Sequence, residues 1–271
     1  MNVLQDLHVH THLSLCAKPT ATVAYYIQKA HELGLDTIAF TDHLWDHQVE
    51  GMPDLGNDPF YRVQDFPYIL QLKDEIAKED PKGLRILFGA EVEFSPLAHK
   101  PAITVEHAKQ LDVLLVPNSH THIIMPKNLY QPMQAHADFM LQAYYDAIRS
   151  DIAPYITAMA HPFAAVCCPY DKRLLLPLIS DNQYGDCFSE AAGKGIAFEI
   201  NTSEFAKDDT VAKLEADPYF RILKLAKEAG SKFTFGSDSH SNTDHDQGCK
   251  FLNAYIIGSR LGLTDADIKR V

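Results

Sequence analysis

The sequence predicts a parallel α/β barrel, and three observations carry that expectation. Short apolar segments of strand length alternate with segments of helical period through most of the 271 residues. Seven strand segments can be named, which approaches the number needed to close a barrel. Chemically special residues recur where these segments end, and parallel barrels assemble their sites at the carboxyl ends of strands.

Taken in order, the strands are expected over 3–10, 36–42, 85–94, 112–120, 155–161, 196–201 and 232–238. The first helix is expected over 22–33, where Val23, Tyr26, Ile27, Ala30 and Leu33 recur at helical spacing and Gly34 supplies a left-handed stop. Further helices fit 67–78, 104–110, 136–149, 188–194 and 218–229, with a closing helix over 251–261. Two longer stretches, 44–66 and 122–134, are rich in Pro, Asn, Asp, Gly and aromatic residues and are expected to be working loops rather than linkers. No repeat, low-complexity tract or domain boundary interrupts the pattern, so residues 1–271 are expected to form one domain.

Composition narrows the function. Hydrophobic residues make up 46% and charged residues 22%, which places the chain among globular proteins. The formal net charge of −12 would repel a phosphate backbone over most of the surface, which argues against nucleic acid as a partner. A small anionic substrate stays compatible with it, because clustered divalent cations reverse the local potential. Residues 1–8 lack the start of a secretory signal and no run reaches membrane-spanning length, so a cytoplasmic protein without a membrane partner is expected. The five cysteines, at 16, 167, 168, 187 and 249, form no even framework and no CxxC pair, so reduced thiols are expected. Nothing in the sequence sets an oligomeric state.

Fourteen histidines are the compositional oddity, and many lie close to acidic residues. They fall in Asp6-Leu7-His8-Val9-His10, Thr41-Asp42-His43, Gly89-Ala90-Glu91, Asn118-Ser119-His120, Ala160-His161-Pro162 and Asp238-Ser239-His240. His8 and His10 are two apart on an extended segment and so point to one face, where two imidazoles can grip one ion; Asp238 and His240 repeat that spacing. A carboxylate such as Glu91 can bridge two cations roughly 3.5–4 Å apart, a recurring hydrolytic device. Burying these groups together without metal would leave unpaired charge.

The ordered set HxH, TDH, GxE, SxH, HP and DxH resembles the polymerase-and-histidinol-phosphatase (PHP) family of metal phosphoesterases, over almost the whole chain. That resemblance implies a distorted seven-stranded (β/α) TIM-like barrel and two or three divalent ions, for which zinc, manganese and iron suit the ligands alike. It implies that His8, His10 and Asp238 hold one ion, that Glu91 bridges it to a second held by His120 and His161, and that His43 and His240 hold a third. Many family members carry a further histidine eight residues after the first histidine of HxH; this chain has Cys16 there, a candidate ligand or a small packed thiol. Catalytic roles are expected of Glu91, Asp238 and His240.

Around this set, His12 and His122 each lie two residues beyond an expected ligand, and either is a candidate for substituting as ligand or for contact with phosphate. Glu93 stands in the same relation to Glu91 and is left for a supporting or a substrate contact. Glu199, Asn201 and Ser203 alternate along one face, with Asn201 the candidate for a supporting or substrate contact. His31, His99, His107, His136 and His245 are expected to be surface or hydrogen-bonded structural residues.

The implied chemistry is hydrolysis of a small phosphate monoester by a hydroxide held between two metals, with histidinol phosphate the nearest analogue. The acidic loop residues Asp46, Glu50, Asp54 and Asp58 would suit a cationic amino-alcohol. The alternatives are a nuclease or phosphodiesterase on the same site, which predicts a basic groove, and a noncatalytic metal-binding protein.

Overall fold

The computed structural model describes residues 4–164, 168–201, 215–241 and 256–271. Cys167, Ser203, His245, Cys249 and the first part of the expected closing helix lie outside the described residues; 256–260 is helical, as expected.

The strands are β1 (Gln5–Val9), β2 (Thr37–Phe40), β3 (His43–Leu44), β4 (Arg85–Val92), β5 (Phe94–Ser95), β6 (Lys100–Pro101), β7 (Val113–Pro117), β8 (Ala158–Ala160), β9 (Ala197–Asn201) and β10 (Phe233–Gly236). Seven of them stand side by side in the order β1-β2-β4-β7-β8-β9-β10, every pairing parallel, and β3 pairs with the far end of β4. The ring closes by hydrogen bonds from Asp238 N to His8 O (2.8 Å) and from His10 N to Ser239 O (3.0 Å), so the last strand lies beside the first. The seven expected strands are therefore the seven staves of the barrel. The short β5–β6 hairpin is an addition, formed where Phe94 pairs with Pro101 just past β4.

Alternation along the staves sorts the apolar residues into two layers. Ile38, Phe40, Phe88, Leu114, Val116, Met159, Phe198, Phe233 and Phe235 pack outward in the large core beneath the helices. Ala39, Leu87, Val113, Leu115, Ala158, Ala160 and Ala197 fill the barrel interior together with Leu7. Four of these eight are alanines, which suits the narrow bore of seven strands. In β1 the register against β2 slips between Asp6 and Val9. Such a slip re-aims the strand: Leu7 packs in the interior cluster and Val9 in the outer one, while His8 and His10 turn into the upper bore.

Helices cover the outside: α1 (Val23–Leu33), α2 (Phe60–Val63), α3 (Phe66–Ile69), α4 (Gln71–Ile76), α5 (Val105–Ala108), α6 (Thr121–Ile124), α7 (Met133–Arg149), α8 (Lys172–Leu175), α9 (Asp181–Gly193) and α10 (Pro218–Glu228). In α1 the Thr22 side chain accepts from Tyr25 N, and Gly34 at φ 69° ends the helix. The helix expected over 67–78 is two pieces, α3 and α4, joined at Leu70, with the Asp65 side chain capping the first through Tyr68 N. The helix expected from residue 188 begins seven residues earlier. Its start is a capping box between Ser180 and Gln183, which outweighs the polar run and Gly185 that masked the helical period.

The other end of the barrel is sealed by the last residues. Ile268 bridges to Phe233, Gln5 Nε2 donates to Lys269 O at 2.7 Å, and Lys269 Nζ donates to the carbonyls of Thr157 and Gly195.

Candidate metal centre

Six strand ends deliver side chains to one buried point. Glu91, on β4, is at its centre and 1% exposed. Its two oxygens face different partners. Oε1 lies 2.9 Å from His161 Nε2 and 3.8 Å from His120 Nε2, whereas Oε2 lies 3.5 Å from both His8 Nε2 and His10 Nε2 and 2.9 Å from His43 Nδ1. Asp238 Oδ1 closes the second group, 3.2 Å from His10 Nε2 and 3.7 Å from His8 Nε2.

The rings are held from behind. His8 Nδ1 donates to Glu199 Oε1 at 2.7 Å, and His120 Nδ1 donates to Glu93 Oε1 at 2.6 Å. His10 Nδ1 donates to Ser14 Oγ at 3.0 Å, and that hydroxyl donates to Asp42 Oδ1 at 2.7 Å. His161 Nδ1 pairs with Ser119 Oγ at 2.7 Å, and His240 Nδ1 donates to the carbonyl of Asp238 at 3.0 Å. The carboxylates behind His8 and His120, and the Ser14 hydroxyl already committed to Asp42 behind His10, take the Nδ1 protons, so the Nε2 atoms of these rings, with that of His161, are turned to the centre.

That arrangement tests whether metal fits. His8 Nε2 and His10 Nε2 face each other at 3.0 Å with both Nδ1 atoms engaged as donors, so the pair needs one positive charge between its nitrogens, which either a proton on His8 or a metal ion supplies. Glu91 Oε2 and His43 Nδ1 are buried without a hydrogen bond of sound geometry, although only 2.9 Å apart. Buried polar atoms left in this state are costly unless an ion completes them. Nitrogen and oxygen donors fall into groups within 4.8 Å of one another: His8, His10 and Glu91; His8, His161 and Asp238; His43, Glu91 and His120; His10, His43 and His240. The donor set and its geometry fit divalent metal.

The electrostatics agree. Burial opposes charge on His8, yet the carboxylates of Glu199, Glu91 and Asp238 hold its pKa well above the ordinary value. Burial, with repulsion from His240 and His43, drives His10 well below it. Glu91 and Asp238 are held ionised well below the usual carboxylate range by the surrounding imidazoles, against their burial. The pocket demands positive charge, but its rings cannot all carry protons at once.

Two backbone features permit the convergence. Asp238 adopts φ 52°, in the left-handed region, at the turn leaving β10, and His161 adopts φ 27° after β8. Such conformations cost energy in non-glycine residues and persist where the surroundings enforce them. A Cβ on Gly236 would lie 2.6 Å from His8 Cβ and would collide with the Glu199 carboxylate, so only glycine admits the His8–Glu199 pair.

Above the cluster opens a cavity of about 1090 Å³, lined by residues of both long loops, among them Asp54, Asp58, Phe60, His122, Met125 and Lys127, together with Cys16, His43, Glu91, His120, Asp238 and His240. Partial burial pushes the Cys16 thiol up, but its hydrogen bonds with His240 and His43 outweigh that and bring it down to about 6.

His8, His10, His43, Glu91, His120, His161, Asp238 and His240 therefore come together, with Cys16 at the rim. Asn201 Nδ2 lies 3.3 Å from both Glu199 Oε2 and Asp238 Oδ2, linking the supporting carboxylate to the strand-end one. His122 lines the cavity. His12 does not join it: its Nε2 lies 3.3 Å from Glu75 Oε1 on α4, because its backbone N–H is tied to Ala21 O and turns the chain outward. Asp46 is likewise spent elsewhere, accepting from Gln48 N, Thr104 N, Thr104 Oγ1 and the His107 ring. Glu199, Ser14, Asp42 and Ser119 hold the cluster's rings from behind, and the sequence gives them no role. Glu199 was the most findable, standing two residues before Asn201 on one strand face.

The fold and the site define a barrel protein with a cluster of donors able to hold divalent metal. Within that class, the chain belongs to the PHP domain family, whose model matches residues 6–258. A protein of Deinococcus radiodurans named "Probable histidinol-phosphatase" is 26% identical over 253 residues, covering 89% of this chain and 87% of that protein. One of Shewanella sediminis named "Probable phosphatase" is 27% identical over 241 residues, covering 89% and 79%. Among solved structures, a Listeria monocytogenes protein described as a "putative histidinol phosphatase" superposes with a TM-score of 0.63 at 18% identity, covering 88% of this chain and 95% of that one, a likeness of fold. Among the described residues no helix is long and apolar enough to cross a membrane.

Proposed function

We propose that this chain is a metal-dependent phosphatase acting on a small phosphate monoester. The observation that carries the reading is the division of the Glu91 carboxylate, one oxygen towards His120 and His161 and the other towards His8 and His10. A carboxylate divided in this way would join two ion positions. His8, His10 and Asp238 would hold one ion, His120 and His161 the other, and His43 with His240 a third. Divalent cations, when bound, supply Lewis acidity towards phosphoryl oxygens and lower the pKa of water from 15.7 towards about 7.

The chain's own residues do the rest. Glu91 and Asp238 keep their charge because neighbouring imidazoles hold them ionised, and Asn201 orients Asp238 through Oδ2. His240, with Nδ1 engaged by a carbonyl, has Nε2 left for the third ion at the edge of the cavity. His122 and Lys127 line the same cavity and would receive phosphate oxygens. Among the described residues that line the cavity Lys127 is the one Lys or Arg, whereas Asp54 and Asp58 both lie there, which favours a small substrate bearing a cationic group over a polyanion. The names of the phosphatase relatives support the same class of reaction.

The test is a product assay with histidinol phosphate and with a generic aryl phosphate, after loading with manganese or zinc. Release of inorganic phosphate that is lost in Glu91→Ala supports the reading. Inactivity of fully metallated protein on both esters removes it.

A further inference from the structure

We propose that a second, apolar pocket beside the metal centre receives an uncharged aryl or branched alkyl end of the substrate, which makes the ester hydrolysed here that of an apolar-tailed amino alcohol. The proposal deepens the phosphatase reading and rests on it.

The pocket encloses about 370 Å³ and adjoins the larger cavity, with which it shares Pro53, Ile124 and Pro126 as walls. Three segments beyond the seven staves build it. The loop over 44–66 supplies Trp45, Gly51 and Pro53, the turn of the β5–β6 hairpin supplies Pro96 and Leu97, and the end of α6 supplies Ile124, with Pro126 just past it. Among the described residues that line it there is no charged, hydroxyl or amide side chain, whereas Asp54 and Asp58 lie in the adjoining cavity. The one polar group among those side chains is already used, since Trp45 Nε1 donates to Val49 O at 3.1 Å.

The walls are fixed without a ligand. Ser95 Oγ donates to Glu50 O at 2.7 Å and accepts from Ala98 N at 3.1 Å, which ties the loop to the hairpin. Gly51, at φ 89°, approaches that hairpin so closely that a Cβ would lie 2.6 Å from Ser95 Oγ and 2.8 Å from Leu97 Cβ. Pro53, Pro96 and Pro126 restrict the backbone of all three segments. Leu97 is 62% exposed, so its wall is reachable from solvent.

This chemistry discriminates between substrate ends of one size. A phenyl ring or a branched alkyl chain gains by leaving water, whereas an imidazole would bury an N–H with no side-chain acceptor to meet it. With phosphate at the metal cluster and an ammonium group towards Asp54 and Asp58, the third part of the substrate has the apolar pocket next to it.

The test compares phenylalaninol phosphate, histidinol phosphate and ethanolamine phosphate on the metal-loaded full-length protein. We expect kcat/KM for the phenyl ester to exceed that for ethanolamine phosphate by about 10- to 100-fold, and to exceed that for histidinol phosphate as well. Leu97→Asp should cut the phenyl preference by about 10-fold, whereas Leu174→Asp, which replaces an equally exposed leucine on α8, should keep it. Binding is read separately, without metal, by titrating phenylalaninol against the fluorescence of Trp45, the single tryptophan of the chain; a saturable change that weakens in Leu97→Asp is expected. Equal turnover of the three esters, or a phenyl preference unchanged in Leu97→Asp, overturns the apolar pocket as a substrate site and leaves the phosphatase standing. Turnover of none removes the phosphatase, and the Trp45 titration then decides the pocket alone: a saturable change keeps apolar binding there, and its absence overturns it.

Discussion

The bridging role proposed for Glu91 depends on what stands behind its neighbours. Each surrounding ring would be free to rotate on its Cβ–Cγ bond, yet His8, His10, His120 and His161 are each fixed at Nδ1 by a carboxylate or hydroxyl. Glu199 carries the most, since it accepts from His8 Nδ1 and from His161 N at 2.7 Å and is itself reached by Asn201. Glu199→Gln should therefore weaken metal affinity by about 10- to 100-fold with the barrel still folded, measured by competitive chelator titration alongside circular dichroism. Gly236→Ala addresses the same pair sterically. Its Cβ would force His8 and Glu199 apart, and a loss of roughly 1–3 kcal/mol in denaturant unfolding is expected. The sequence showed the donors through their motifs, but hydrogen bonds such as Ser14–His10 or Ser119–His161 leave no period or spacing to find. They depend on how separate strand ends meet.

At the level of elements, Asp46 clasps the loop over 44–66 to the start of α5. Asp46, 2% exposed, accepts four hydrogen bonds from Gln48, Thr104 and His107, while His107 stacks on Phe66 with ring centroids 3.9 Å apart. Burial raises the Asp46 pKa, but the backbone bonds from Gln48 and Thr104 and the His107 ring bring it below 3.8. A depressed carboxylate pKa stabilises the folded state above the unfolded value and loses that contribution as pH falls through the folded value. Asp46→Asn should flatten the acid limb of stability against pH below about pH 4, leaving the neutral-to-alkaline limb unchanged in shape, as thermal melts across pH will check. The strands and α1 were legible because period, cap and stop agreed. By contrast α3–α4, the β5–β6 hairpin and the early start of α9 were not, since Leu70, Phe94 and Ser180 act through local hydrogen bonds that a period of 3.6 or 2 does not register. The direction of His12 was illegible for the same reason: Ala21 O captures its backbone, and no alternation along β1 extends that far.

For the molecule as a whole, one ring of strands gathers residues separated by more than two hundred positions, from His8 to His240, around a pocket that demands positive charge. Occupied sites should stabilise the fold by mass action, by about 2.7 kcal/mol per site when free metal is 100 times Kd. Chelation should accordingly abolish phosphatase activity and lower Tm, and both should return when manganese or zinc is restored. The most direct measurement is an anomalous-difference Fourier map, at a metal absorption edge, from crystals of the metal-loaded protein. The account predicts a pair of peaks on opposite sides of the Glu91 carboxylate, one against His8, His10 and Asp238 and the other against His120 and His161. A single peak away from Glu91, or no peak within bonding reach of these side chains, would contradict it.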